Sequence, residues 1–219
     1  MEQDSPKPAY STYVFDCDGV VLNSNELKTL SFREAALPYG EDIADALAEY
    51  HVKHRSGTRF EKFRYLLEEL VPPGTKGPDY DQLLELFADA VWSRLLACDV
   101  EPGLADLRKR TAGARWLIVS GGAEAELRKL FPLRGIAEYF DGGIFGSPHD
   151  KGAILAREIA NGNIAGPALF IGDSACDYDA ASAAGLDFAF ATWWSGETGW
   201  PAYVASRGIP AVSGLSQIT

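Results

Sequence analysis

Tyr13-Val14-Phe15-Asp16-Cys17-Asp18-Gly19-Val20 is the stretch on which the reading of the fold turns. Tyr13, Val14 and Phe15 form an unbroken run of strand-favouring apolar residues, the pattern of a strand covered on both faces in a parallel sheet. The run stops abruptly at Asp16. Strand alternation would send Asp16 and Asp18 to one side, and Gly19 permits the sharp turn that such a change of direction needs.

Working outward, similar runs recur at Trp116 to Val119, Gly143 to Phe145, Ala168 to Ile171 and Phe188 to Ala191, most of them followed by helical patterning. Strands that alternate with helices predict an α/β fold with a doubly wound parallel sheet. The 219 residues amount to about one and a half domains at ~150 residues each, which leaves room for a large insertion. Between Phe15 and Trp116 no convincing strand is visible. Leu27, Leu30 and Phe32, then Phe60, Phe63, Leu67 and Leu70, then Leu83, Leu84, Phe87, Val91 and Leu95 recur at helical spacing, with Pro72-Pro73-Gly74 to Pro78 as a connecting loop. The prediction is an all-helical cap domain over residues 22–100, inserted after the first strand into a core made of residues 1–21 and 101–219.

The polar residues fall at the C-terminal ends of the predicted strands, the edge at which open α/β sheets place their ligand crevice. Asp16 and Asp18 follow Phe15, Ser120 follows Val119, and Asp173 follows Ile171-Gly172. A bound Mg²⁺ would compensate two carboxylates so close together, since it is a hard cation that takes carboxylate oxygens, waters and phosphate. An Asx-type turn with solvated aspartates accounts for the pair as well.

Asp173 and Asp177 stand at i, i+4 near a helix start, followed by Asp179, where like charges weaken a helix by a few tenths of a kcal/mol. Capping needs one carboxylate, so a metal shell is the better single account of three. Lys151 is the converse case. It is predicted to open a helix over Lys151 to Ile159, at the end where the macrodipole disfavours cations, so an anion should face it. Ser120-Gly121-Gly122 is read as opening a helix from Ala123, with a hydroxyl and unobstructed backbone N–H groups forming an anion seat, or as a plain Ser cap with glycines easing the turn.

Taken in order, Asp16-Cys17-Asp18-Gly19-Val20, Ser120, Lys151 and Gly172-Asp173 with Asp177 resemble the four motifs of the haloacid dehalogenase superfamily. The helical insertion resembles the branch that contains phosphoglycolate phosphatases and β-phosphoglucomutases. The resemblance implies a Rossmann-like core and an Mg²⁺-dependent phosphatase acting on a small phosphorylated metabolite. By the same resemblance, Asp16 is the nucleophile that forms an aspartyl phosphate and Asp18 the general acid and base. Gly19, Ser120, Gly121 and Lys151 hold the transferring phosphoryl group. Asp16, Asp18 through its backbone carbonyl, and Asp173 bind the metal, with Asp177 supporting them. The carboxylate at Asp18 favours phosphate esters over halides or phosphonates, because their leaving oxygen needs a proton. Asn23-Ser24-Asn25 departs from relatives that carry an acidic residue before the serine, so the native substrate is not carried over.

The segment from His51 to Arg59 concentrates basic residues, and similar branch members place a substrate-reading loop there, which makes Arg59 the candidate contact to the leaving group. A solvated connecting face explains the same charges. A sugar phosphomutase would use the same residues. A receiver-like signalling domain shares the aspartyl phosphate chemistry but has no helical insertion behind its phosphoacceptor.

Composition narrows the classes. With 20 basic against 31 acidic residues, the net charge of −11 argues against nucleic acid or anionic membrane as a partner. Cys17, Cys98 and Cys176 have no metal-knuckle spacing and are odd in number, which points to a reducing cytoplasm. Met1 to Pro6 shows no targeting pattern, and no apolar run reaches the ~18 residues of a membrane span. A monomer or weak homodimer is expected. Trp193, Trp194 and Trp200, after the last predicted strand, are read as packing residues before a stacking platform.

Overall fold

The computed structural model describes residues 9–55 and 57–218. The N-terminal residues read for a targeting pattern, and Ser56 of the basic segment, lie outside the described residues. The chain divides into two compact units, residues 1–22 with 100–219, and residues 23–99.

The first unit is built on a parallel sheet of β1 (Thr12–Phe15), β2 (Arg115–Ala123), β3 (Gly143–Ser147), β4 (Ala168–Gly172), β5 (Asp187–Ala191) and β6 (Ala211–Val212). Their order is β3-β2-β1-β4-β5-β6. Every residue of β1 and of β4 is buried, which is why both read as continuous apolar runs. Phe15 lies opposite Ile118 on one side and Ile171 on the other, so the ends of β1 and β4 are level. Winding reverses between these two strands, and that reversal opens a crevice at their C-terminal ends. β6 was not predicted: two residues are too few to show a period.

The helices of this unit are α5 (Leu104–Arg110), α6 (Glu124–Leu133), α7 (Lys151–Ala160), α8 (Ala175–Ala183) and α9 (Trp200–Arg207). Val14, Leu117, Phe170 and Phe190 from the sheet pack with Ile154 and Leu155 of α7 and Ala181 of α8. On the sheet's other face, Phe15, Trp116 and Phe140 cluster, with ring centroids 4.6 to 5.9 Å apart. Trp200 stacks on Phe190 at 5.8 Å, and Trp193 and Trp194 are half-buried.

The second unit holds α1 (Asn25–Ala36), α2 (Glu41–Lys53), α3 (Arg59–Tyr65) and α4 (Tyr80–Ala97). Two capping boxes start its helices, Thr58 with Glu61 for α3 and Asp79 with Gln82 for α4. Its centre is aromatic. Phe32 lies 4.2 Å from Phe87 and 5.4 Å from Phe63, ring centroid to centroid. Two expectations fail in detail. Leu30 faces out at 44% exposure. After Tyr65 the chain widens into one π turn over Leu66–Leu70, and Leu66 rather than Leu67 is buried, at i+3 from Phe63 on the same helical face.

Candidate active site

Asp16 is the first residue past β1, and its N–H donates to the Ile171 carbonyl of β4 at 2.9 Å, which pins it in the crevice. The chain then turns. Val21 and Leu22 donate to the Cys17 carbonyl at 3.0 and 2.9 Å, and Gly19, at φ +77°, donates to Leu22 at 2.8 Å. A side chain at Gly19 would be strained in that left-handed conformation.

The second acidic turn follows β4. Ser174 caps α8: its hydroxyl donates to Asp177 Oδ2 at 2.6 Å and accepts from the Asp177 N–H at 3.3 Å. The Asp173 N–H also donates to Asp177 Oδ2, at 3.2 Å. Gly172 permits this tight fold-back, since an added Cβ would lie 2.4 Å from the Cβ of Asp177. Among the three aspartates read as one group, Asp179 is exposed and Asp177 fully buried, so the expected shell loses Asp179. One helical turn separates i from i+4, whereas i+6 points elsewhere. Cys176 is exposed and Cys17 buried.

Lys151 opens α7 as expected, behind Asp150, whose side chain caps the helix by accepting from the Ala153 N–H at 2.7 Å. Its Nζ lies 2.9 Å from Asp16 Oδ1 and donates to Asp177 Oδ1. The anion that the helix position called for is therefore a pair of carboxylates. One oxygen each from the buried Asp16, Asp173 and Asp177 lies within 4.8 Å of the others.

The electrostatics follow from burial. Desolvation, with the neighbouring charges of Asp177 and Asp18, pushes the Asp16 carboxyl up to about 7, against the pull of Lys151. Burial would push the Lys151 ammonium down, but Asp16 and Asp177 outweigh it and hold it above its ordinary range. Asp16 and Asp177 thus share one ammonium with Asp173 close by, and Asp16 is driven toward its neutral form. A hard divalent cation fits that imbalance: it takes oxygen donors and would keep all the carboxylates ionised.

Ser120 is buried at the end of β2, and its Oγ accepts from the Gly122 N–H at 3.0 Å. The strand runs on through Ala123 and α6 starts only at Glu124, so Ser120-Gly121-Gly122 does not open a helix as expected. Ala123 pairs with Ser147 after a register shift from Val119, so the three residues form an irregularity within the strand. An added Cβ on Gly121 would meet nothing within 4 Å, so space beside it is open. The structure brings Asp16, Lys151, Asp173 and Asp177 together, with the charge of Asp18 felt at Asp16. Arg59 belongs to the helical unit, where its guanidinium lies 4.6 Å over the Phe87 ring.

Sequence reading missed the double role of Asp177, which joins Lys151 to the turn at Asp173. It also missed Ser195 and read Trp193 only as packing, whereas they donate to the Asp173 and Val20 carbonyls at 2.8 and 3.0 Å. Their position just past a strand at the crevice edge was the available signal.

Residues 10–185 match the family model of haloacid dehalogenase-like hydrolases. No curated protein matches the chain in sequence. Among solved structures, a haloacid dehalogenase-like family protein from Streptococcus pneumoniae is similar at TM-score 0.72 and 16% identity, covering 95% of this chain and 96% of that one. A candidate haloacid dehalogenase-like hydrolase from Bacteroides fragilis is similar at TM-score 0.69 and 23% identity, with 96% and 100% covered. A candidate phosphoglycolate phosphatase from Lactobacillus plantarum is similar at TM-score 0.68 and 22% identity, with 95% and 97% covered. At such identities the likeness is one of fold. Among the described residues, no helix is long and apolar enough to cross a membrane.

Proposed function

The chain belongs to the haloacid dehalogenase-like hydrolase family, and from that premise we propose that it is an Mg²⁺-dependent phosphatase that hydrolyses a small phosphomonoester through an aspartyl phosphate on Asp16. One observation carries the reading: a buried carboxylate at the sheet's crevice, 2.9 Å from a lysine and ringed by two further buried carboxylates.

Asp16 attacks phosphorus in line, and the bond from phosphorus to the ester oxygen breaks as Asp18 protonates that oxygen. Asp18 then takes a proton from water as the water attacks phosphorus, the bond to Asp16 breaks, and inorganic phosphate leaves. Lys151 pulls Asp16 toward its ionised form, with the metal completing that task, and neutralises the transferring oxygens. Ser120 and Gly121 seat those oxygens at the end of β2. Mg²⁺, held by Asp16, Asp173 and the Asp18 carbonyl, would supply positive charge to the transferring group. Both Asp177 oxygens already accept from Lys151, Ser174 and Asp173, which suits a supporting place behind the metal ligands. Arg59 reads the leaving group, with phosphoglycolate, in the name of the Lactobacillus plantarum protein, as one member of the class to try. Three free cysteines suit a reducing compartment.

The test is phosphate release across a panel of phosphorylated metabolites. Activity should appear with Mg²⁺, vanish with chelator, return on adding Mg²⁺ and stay low with Ca²⁺, whose larger and looser shell misplaces the oxygens. Full turnover in chelator would overturn the metal assignment. Transfer of the phosphoryl group to a sugar in place of water would replace the phosphatase with a mutase.

A further inference from the structure

Asp173 is held at both ends of its own backbone. Its N–H donates to Asp177 Oδ2 at 3.2 Å and its carbonyl accepts from Ser195 Oγ at 2.8 Å. Ser195 lies in the connection between β5 and α9, which the chemistry above does not use. The same connection sends the Trp193 indole N–H to the Val20 carbonyl at 3.0 Å, in the turn that carries Asp16 and Asp18. The connection is itself anchored. The N–H and hydroxyl of Thr192 both donate to the Val212 carbonyl, at 2.9 and 3.1 Å, and the Glu197 N–H donates to Ser195 Oγ at 3.2 Å.

We infer that residues 193–195 form a strap that sets the two acidic turns against each other, with Ser195 positioning Asp173 and Trp193 positioning the Asp16–Asp18 turn. The reason is geometric. A carboxylate ligand is aimed by its backbone, and a small rotation of the peptide between Asp173 and Ser174 would swing it out of place. Bonds to the N–H on one side and the carbonyl on the other remove that freedom before any ligand arrives. Each half-buried donor competes with less water than a surface group, so its bond persists. Partners that orient metal-binding carboxylates are typically worth ~10–100-fold in metal affinity or activity. The inference rests on Asp173 as a metal ligand, as proposed above.

Calorimetric titration of the full chain with Mg²⁺ alone tests it, with thermal melting and phosphate-release kinetics on the same samples. Ser195→Ala should bind Mg²⁺ about tenfold more weakly with little change in melting, and Ser195→Thr should recover most of the loss because it keeps the hydroxyl. Trp193→Phe keeps one aromatic ring and removes the indole N–H with the rest of the bicycle, so its melting is compared with that of the wild type. The variant should weaken Mg²⁺ binding as well, because Asp16 and the Asp18 carbonyl lie in the turn that Trp193 holds, and lower kcat about tenfold, with KM little changed. Wild-type Mg²⁺ affinity in Ser195→Ala overturns the strap's hold on Asp173. So does an equal fall in affinity and melting shared by the Ala and Thr variants, which would mark a merely structural contact. Wild-type kcat in Trp193→Phe overturns the hold on the first turn. If the wild-type chain itself fails to bind Mg²⁺, the metal reading fails and the strap with it. Tight wild-type binding that ignores Ser195 overturns the strap alone.

Discussion

Each unit encloses a lysine, Lys62 buried and Lys151 half-buried, and the two are satisfied differently. Lys62, 2% exposed in the helical unit, donates to the carbonyls of Arg55 and Gly57 and lies 5.4 Å from the centre of the Phe32 ring. Lys151, at the sheet's crevice, faces Asp16 and Asp177. Backbone carbonyls and a ring face hold the Lys62 cation, so Lys62 organises its loop. Carboxylates do more. They outnumber Lys151 and leave a buried site short of positive charge, which drives Asp16 toward its neutral form. A buried charge compensated by neutral groups supports structure, whereas one left over-matched is available for chemistry.

That contrast is most exposed to failure at Asp16. Asp16→Asn should lower phosphate release by more than ~10⁴-fold, the scale on which loss of a nucleophile acts. It should leave the melting temperature equal or higher, because it removes a carboxylate that burial disfavours. Turnover near wild type, or a clear drop in melting, would erase the distinction between the two lysine sites.

Lys62→Met should show the opposite pattern. It leaves the Gly57 and Arg55 carbonyls without that donor, and stability should fall by about 2–3 kcal/mol, the scale of unsatisfied buried polar groups. Hydrolysis of a small aryl phosphate by the folded fraction should change less than twofold. Urea unfolding with activity corrected for folded protein measures both.

Arg59 is on the same helical unit, just beyond the loop that Lys62 holds, and tests whether that loop contributes to selection. Arg59→Ala should cost about 1.5–3 kcal/mol in kcat/KM for a polar or anionic native substrate, the worth of a charged hydrogen bond. A small aryl phosphate offers it nothing to grip and should be hydrolysed as before. Equal losses on both substrates, or none on either, would reduce Arg59 to its contact with Phe87.

The smallest effect is expected at Glu101, a buried carboxylate of the core unit that accepts from the Gly103 and Leu215 N–H groups at 2.6 and 3.4 Å. Burial raises its carboxyl above the usual carboxylate range, against the pull of those donors. With the folded value above the unfolded one, its contribution favours folding at pH below the unfolded value. That contribution declines as pH rises toward the folded value. Glu101→Gln should flatten this decline and stabilise the neutral-pH protein by less than about 1 kcal/mol. Paired melts from acid to neutral pH would show the two proteins diverging as pH rises, and parallel curves would deny any shift at Glu101.

Much of this was legible in the chain. The buried runs at Tyr13 to Phe15 and Ala168 to Ile171 announced central strands, because a strand covered on both faces cannot alternate. The cation at the start of α7 announced an anionic partner by its conflict with the helix dipole. Where reading slipped, the cause was longer range. Ser120 to Gly122 stay in the strand because Val119 and Ala123, on either side of an irregularity, pair with Phe145 and Ser147 of β3, which outweighs the local preference of Ser-Gly-Gly for a cap. Leu66 is the buried position, at i+3 from Phe63, where the apolar pattern equally allowed Leu67 at i+4, and only packing separates the two.

Spacing along the chain was enough for every strand but β6, for the helical insertion and for the acidic residues that follow β1 and β4, because these depend on side chains a few turns or pleats apart. Only the tertiary structure decided that Lys151 meets Asp16 and Asp177, that Asp179 stands outside the cluster, and that Ser195 and Trp193 reach back to the two acidic turns. Those contacts join segments far apart in the chain. Their distances follow from the order and register of the strands, which place the ends of β1 and β4 side by side.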